Sequence, residues 1–99
     1  MDEIHLQITT AGGTAYDGQC SYVELPLEGG SVGILSHHAP MLGAVKNGVV
    51  IARQKDGREA YIAVGIGVAN IAENELILLV RTAEQAETWD AACAQIAAQ

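Results

Sequence analysis

The 99-residue sequence predicts a small all-β domain, a sandwich or a barrel, with one helix at its C-terminal end. Three observations carry that prediction. Apolar and polar residues alternate with period two in several short stretches. Turn-forming pairs separate those stretches at short intervals. After residue 81 the pattern changes to an Ala-rich segment with apolar residues three and four apart.

The elements follow in order. Ile4-His5-Leu6-Gln7-Ile8-Thr9 alternates and reads as a half-buried strand; Ala11-Gly12-Gly13-Thr14 reads as a turn. Between residues 16 and 27, Val23, Leu25 and Leu27 share one face, with Tyr22 and Glu24 on the other. Pro26 places that end of the strand at an edge or a bulge. Glu28-Gly29-Gly30-Ser31 is a loop, and residues 32–35 and 41–45 are short apolar segments. Asn47-Gly48 and Asp56-Gly57 each signal a two-residue type I′ hairpin, a turn with positive φ at both central positions. Strands at 49–53 and 59–64 surround them. Glu73-Asn74 marks another turn, and residues 76–80 read as a buried strand by composition.

Thr82-Ala83-Glu84-Gln85 fits a capping box, so the helix is expected to start there and run to Gln99. Glu84 and Glu87 then lie where the helix dipole favours acids. Ala86, Trp89, Cys93 and Ile96 form the apolar stripe. An isolated helix of this length is marginal in water, so it should dock, with Trp89 as its anchor.

Composition excludes several function classes. The net charge of −7 leaves no basic patch for nucleic acid or anionic lipid. No apolar run approaches the ~20 residues of a membrane span. The N-terminus lacks the basic start and apolar stretch of a signal peptide, so a cytosolic location is the default expectation. Cys20 and Cys93 read as reduced, mostly buried thiols rather than a disulfide.

The chemistry-bearing candidates are few. His37 and His38 are adjacent in a chain with three histidines. No set of Cys, His or acidic residues stands at metal-ligand spacing around them, and Ser36 lies in no nucleophile motif. The pair therefore reads as a shaped loop before Pro40 that presents side chains to a partner. Gly65-Ile66-Gly67-Val68-Ala69-Asn70 fails as a dinucleotide fingerprint, because Asn70 replaces the third small residue and the following sequence is strand-like. Close backbone approach or a bulge is the expected reason for those glycines. Gly29-Gly30-Ser31-Val32-Gly33 lacks the Lys of a phosphate-binding loop. The residues alone describe a non-enzymatic β-domain; a stand-alone sandwich that binds a small ligand or a peptide is the alternative they leave open.

At Gly33-Ile34-Leu35-Ser36-His37-His38-Ala39-Pro40-Met41-Leu42 the chain resembles the epsilon subunits of F-type ATP synthases, the equivalents of the mitochondrial delta subunit. Ile4 to Thr10, Tyr16-Asp17-Gly18, residues 42–48, Ala60 to Gly67 and Arg81-Thr82-Ala83-Glu84 agree in the same order. The resemblance implies a ten-stranded β-sandwich of two five-stranded sheets followed by one C-terminal α-helix, with residues 1–82 as the sandwich domain and 83–99 as the start of a helical region lacking its second helix. It implies a non-catalytic rotor part of the central stalk that joins the gamma subunit to the c ring, at the cytoplasmic face of the cell membrane and without inserting into it. No cofactor and no metal is expected.

Carried over residue by residue, the resemblance assigns Thr10, His38, Met41 and Leu42 to the gamma contact, with Leu42 expected to point into the core. It assigns Glu28, Gly29, Gly30, Ser31 and Val32 to the c-ring contact. Ser31 stands where many relatives carry an acid, and Glu28 is the nearby substitute. His37 stands where relatives often have Gly or Asn, which implies a left-handed turn residue. Cys93 stands where the family's ATP-binding pattern has Arg, so ATP binding by the helix is not expected.

Overall fold

Ile4, Leu6 and Ile8 alternate with polar neighbours, and in the computed structural model all three point inward from a strand. The structure describes residues 3–97. These form ten strands and one helix: β1 (Ile4–Thr10), β2 (Gly13–Cys20), β3 (Tyr22–Leu27), β4 (Gly30–Ile34), β5 (Met41–Val45), β6 (Gly48–Arg53), β7 (Glu59–Val64), β8 (Gly67–Ala72), β9 (Glu75–Val80), β10 (Ala83–Ala86) and α1 (Trp89–Ala97).

The strands make two five-stranded halves. One runs β10-β7-β6-β3-β4 and the other β5-β8-β9-β1-β2. A single residue pair, Leu27 with Val45, joins them into one hydrogen-bonded path. At the two ends of that path, Gln85 Nε2 donates to Ala15 O over 3.0 Å and ties β10 to β2. The halves face each other across one aliphatic core that includes Leu6, Ile8, Val23, Leu25, Ile62, Ile71 and Leu78. Each such side chain contributes about 1.5–3 kcal/mol by leaving water. The chain thus forms the expected sandwich with its C-terminal helix.

Several local expectations are corrected. Residues 16–27 are two strands in different halves, because the chain turns a corner at Ser21, whose N–H and Oγ both donate to Arg53 O. Pro26 is buried inside a central strand, at the point where β3 exchanges β6 for β5 as its neighbour. Its missing N–H falls where that ladder is interrupted. Asn47-Gly48 is no hairpin: β5 and β6 lie on opposite sides of β3 and in different halves. Gly48 is needed because an added Cβ would sit 2.5 Å from Pro26 Cβ. Asp56-Gly57 does close a hairpin, but as a three-residue loop with only Gly57 at positive φ (92°) and Gln54 paired to Arg58. The type I′ turn is at Glu73-Asn74, where both residues are left-handed at 52° and 62°.

The capping-box expectation also fails. Ala83 to Ala86 pair antiparallel with β7 and extend the sheet. The helix starts at Trp89, capped by Thr88, whose Oγ1 accepts from Ala91 N at 3.1 Å. Trp89 is 47% exposed and is not the anchor. Ala92 is, fully buried against Val49 and Ala63 with Cys93 and Ile96 beside it. Cys20 is buried, whereas Cys93 is only half-buried.

Candidate docking face and motif loop

The pleat of β5 decides what the motif presents. Val45 is buried, so Gly43 and Met41 share its inward side and Leu42 and Ala44 face out. Leu42 is 75% exposed, which overturns its expected core position. Met41 is half-buried and packs against the core. Counting back by two from Val45 predicts both orientations.

Register then assembles a surface that composition hides. Leu42 pairs with Asn70, Asn70 with Ile77, and Ile77 with Gln7. In a parallel row, Ala44 pairs with Val68, Val68 with Leu79, and Leu79 with Thr9. Four aliphatic side chains, Leu42, Val68, Ile77 and Leu79, therefore stand exposed together on the outer face of β5, β8 and β9. Residues 76–80 are not buried on both faces: Leu76, Leu78 and Val80 enter the core, whereas Leu79 is 54% exposed. A continuous apolar run carries no period that separates the two faces. This cluster makes the outer face of β5, β8 and β9 the candidate docking surface.

The motif loop borders this face. His37 is left-handed at φ 64°, as its place in the motif implies, and occupies the third position of a turn closed by His38 N donating to Leu35 O. His38 is half-buried, with its Nδ1 2.7 Å from Ala39 O. Thr10 lies toward the other end of the sheet, three residues along β1 from Gln7, where the Leu42 row ends, or about 10 Å of strand. Its Oγ1 accepts from Gly12 N at 3.1 Å and serves its own turn. The structure thus brings His38 and Leu42 to one region, turns the adjacent Met41 to the inward side of β5, and leaves Thr10 toward the other end of the sheet.

Glu28 to Val32 are the β3–β4 turn and the first half of β4, at the Thr10 end of the molecule. Glu28, Gly29 and Ser31 are exposed, and Val32 packs on the core. Near that end an open depression is lined by Asn47, Ile66, Arg81 and Thr82. Gly67 there is a close-approach glycine, since an added Cβ would lie 2.0 Å from Leu79 O. This is the expected reason for the Gly65-x-Gly67 pair.

At the margin of the apolar face, His5 bridges two carboxylates. Its Nε2 lies 2.5 Å from Asp17 Oδ1 and its Nδ1 3.0 Å from Glu75 Oε1. The hydrogen bond to Asp17, then the one to Glu75, raise the imidazole pKa above its ordinary value. Sequence reasoning missed this cluster because its three members lie on three strands. Among the described residues no group of three or more His, Cys, Asp or Glu side chains converges to hold a metal ion. No described helix is long and apolar enough to cross a membrane.

Comparison with known proteins places these features. Residues 3–86 match the family model for the β-sandwich domain of the ATP synthase delta/epsilon chain. The ATP synthase epsilon chain of a Synechococcus species is 40% identical over 90 residues, covering 91% of this chain and 65% of that one. That of Streptomyces avermitilis is 33% identical over 89 residues, covering 90% and 72%. The chain therefore spans about two thirds of the length of these relatives. Among solved structures, a chain of the Euglena gracilis mitochondrial ATP synthase (OSCP/F1/c-ring) superposes with a TM-score of 0.79 at 14% identity, over 84% of this chain and 53% of that one. A chain of the Tetrahymena thermophila mitochondrial ATP synthase central stalk and c-ring gives 0.64 at 13%, over 82% and 65%. Both show likeness of fold.

Proposed function

The chain belongs to the ATP synthase delta/epsilon chain family, and from that premise we propose that it is a non-catalytic central-stalk subunit that joins the gamma subunit to the c ring and couples ring rotation to ATP synthesis or hydrolysis. The observation that carries this reading is the cluster of Leu42, Val68, Ile77 and Leu79 exposed on one outer sheet face. A rigid β-sheet with an aliphatic face suits a permanent protein partner better than a small ligand. We assign that partner as gamma, with His38 at the rim of the contact. The exposed Glu28-Gly29 turn and Ser31 lie at one end of the sandwich, away from the motif loop, and are assigned to the polar loops of the c ring. Glu28 supplies the acid that position 31 lacks. Two separate surfaces let one body hold two partners at once, so neither contact need be tight alone. Attachment to the membrane is peripheral, through the complex.

The test is capture of purified gamma by this chain and by Leu42→Asp, Leu79→Asp and Glu28→Lys variants. Leu42 and Leu79 are exposed, so their substitution leaves thermal stability nearly unchanged. Met41 is unsuitable because it packs on the core. The expected result is capture by the parent and an affinity loss of about tenfold or more for the two leucine variants. Glu28→Lys is expected to capture gamma as the parent does and, in a parallel capture of purified c ring, to bind it more weakly than the parent. A parent that ignores folded gamma, or leucine variants that bind as the parent does, would overturn the assignment.

A further inference from the structure

The third residue of a four-residue turn has a backbone N–H that the turn itself leaves unpaired. In the motif loop that residue is His37. Its N–H donates to the side-chain carbonyl of Asn74, Oδ1, at 2.6 Å, across the gap between the loop and the β8–β9 turn. The backbone carbonyl of the same Asn74 accepts from His5 N at 2.9 Å. One residue therefore fastens the motif loop to its own turn and to the start of β1.

The choice of residue at this position is informative. Asn74 is the second central residue of a type I′ turn, with φ at 62°. Glycine meets that backbone demand at the least strain, and Asn is the side-chain-bearing residue that tolerates it best. Only a residue with a short acceptor can hold the left-handed turn and also reach His37. The φ requirement admits Gly or Asn; of the two, only Asn also supplies the acceptor that the loop uses.

We propose that Asn74 is the positioning residue of the His-Ala-Pro loop: its carboxamide fixes the left-handed turn at His37, and through it sets the place of His38 beside the apolar docking face. The effect of Asn74 on a partner rests on the gamma assignment above; its effect on the loop does not. Asn74 acts through His37 and needs no contact with the partner.

The variants Asn74→Gly and Asn74→Asp separate the roles. Asn74→Gly keeps the left-handed backbone and removes the acceptor, so the domain stays folded. Asn74→Asp restores an acceptor of the same reach. Hydrogen exchange at the His37 amide, followed by NMR, is expected to quicken by about five- to tenfold in Asn74→Gly and to return toward the parent rate in Asn74→Asp. Affinity for purified gamma is expected to fall and recover in the same pattern, with circular dichroism and melting temperature nearly constant. Unchanged exchange at His37 in Asn74→Gly would overturn the positioning role. Faster exchange with parent-like gamma affinity would overturn its bearing on docking. If the parent itself does not bind gamma, the rotor assignment fails, and the exchange result still decides whether Asn74 holds the loop.

Discussion

His5 shows how a surface residue can carry a pH dependence. Asp17 on β2 and Glu75 on β9 both bond the imidazole and raise its pKa above the ordinary 6.5. A group whose folded pKa is raised stabilises the fold fully below its unfolded value and loses that contribution as pH rises through the folded one. The melting temperature is therefore expected to fall as pH increases from about 6.5 upward, and His5→Gln is expected to flatten that fall. Thermal denaturation of the two proteins from pH 6 to 9 checks it; parallel curves would sink the idea. The same residue marks a limit of sequence reading. His5 is placed correctly on the outer side of a half-buried strand, but its partners are 12 and 70 residues away. Leu42 was legible in principle by counting from Val45, yet its apolar character pointed inward. His37 was legible because its motif position implies a backbone state, and that state is what it adopts.

At the scale of elements, the strands were legible wherever period two held, and the errors cluster at their connections. Asn47-Gly48 has the composition of a type I′ turn, but β3 intervenes between the strands it links. Thr82 to Gln85 satisfies a capping pattern, but pairing with the open edge of β7 offers that segment a full ladder of hydrogen bonds. Tertiary pairing overrides a local signal of this strength. The true cap, Thr88, leads a nine-residue helix with Asp90 in its first turn and no base in its last. So short a helix depends on its cap and on Ala92. Thr88→Ala is expected to destabilise the helix by about 0.5–2 kcal/mol, read as a loss of helical ellipticity with the melting of the sheet unchanged. Simultaneous loss of both signals would mean that the helix is integral to the sandwich. Cys93 on this helix is half-buried beside Val49 and Ala63, so it offers a nucleotide no cation. Calorimetric titration with ATP is expected to show no saturable binding below millimolar concentration; a saturable isotherm would refute that.

For the whole molecule, frequent turns and short strands were enough to indicate a sandwich or barrel, and the family resemblance supplied the count of two five-stranded sheets. Neither could supply the outer-face pattern. Leu76 to Val80 is apolar at every position, and only register against β8 and β1 divides it into core residues and an exposed pair. The surface assigned to a partner is thus a property of the assembled sheet rather than of any segment. Pro26 and Gly48 are similar: their close approach makes sense only once the chain passes from one half to the other.

That passage has a mechanical side. The wall of the sandwich is joined along one side by the Leu27–Val45 pair and along the other by the bond from Gln85 to Ala15. A filled body whose wall is closed around its circumference resists torsion better than one left open along its length. On the proposed function, with a shaft against one wall and a ring at one end, torque would load those two seams together with the aliphatic core that joins the halves.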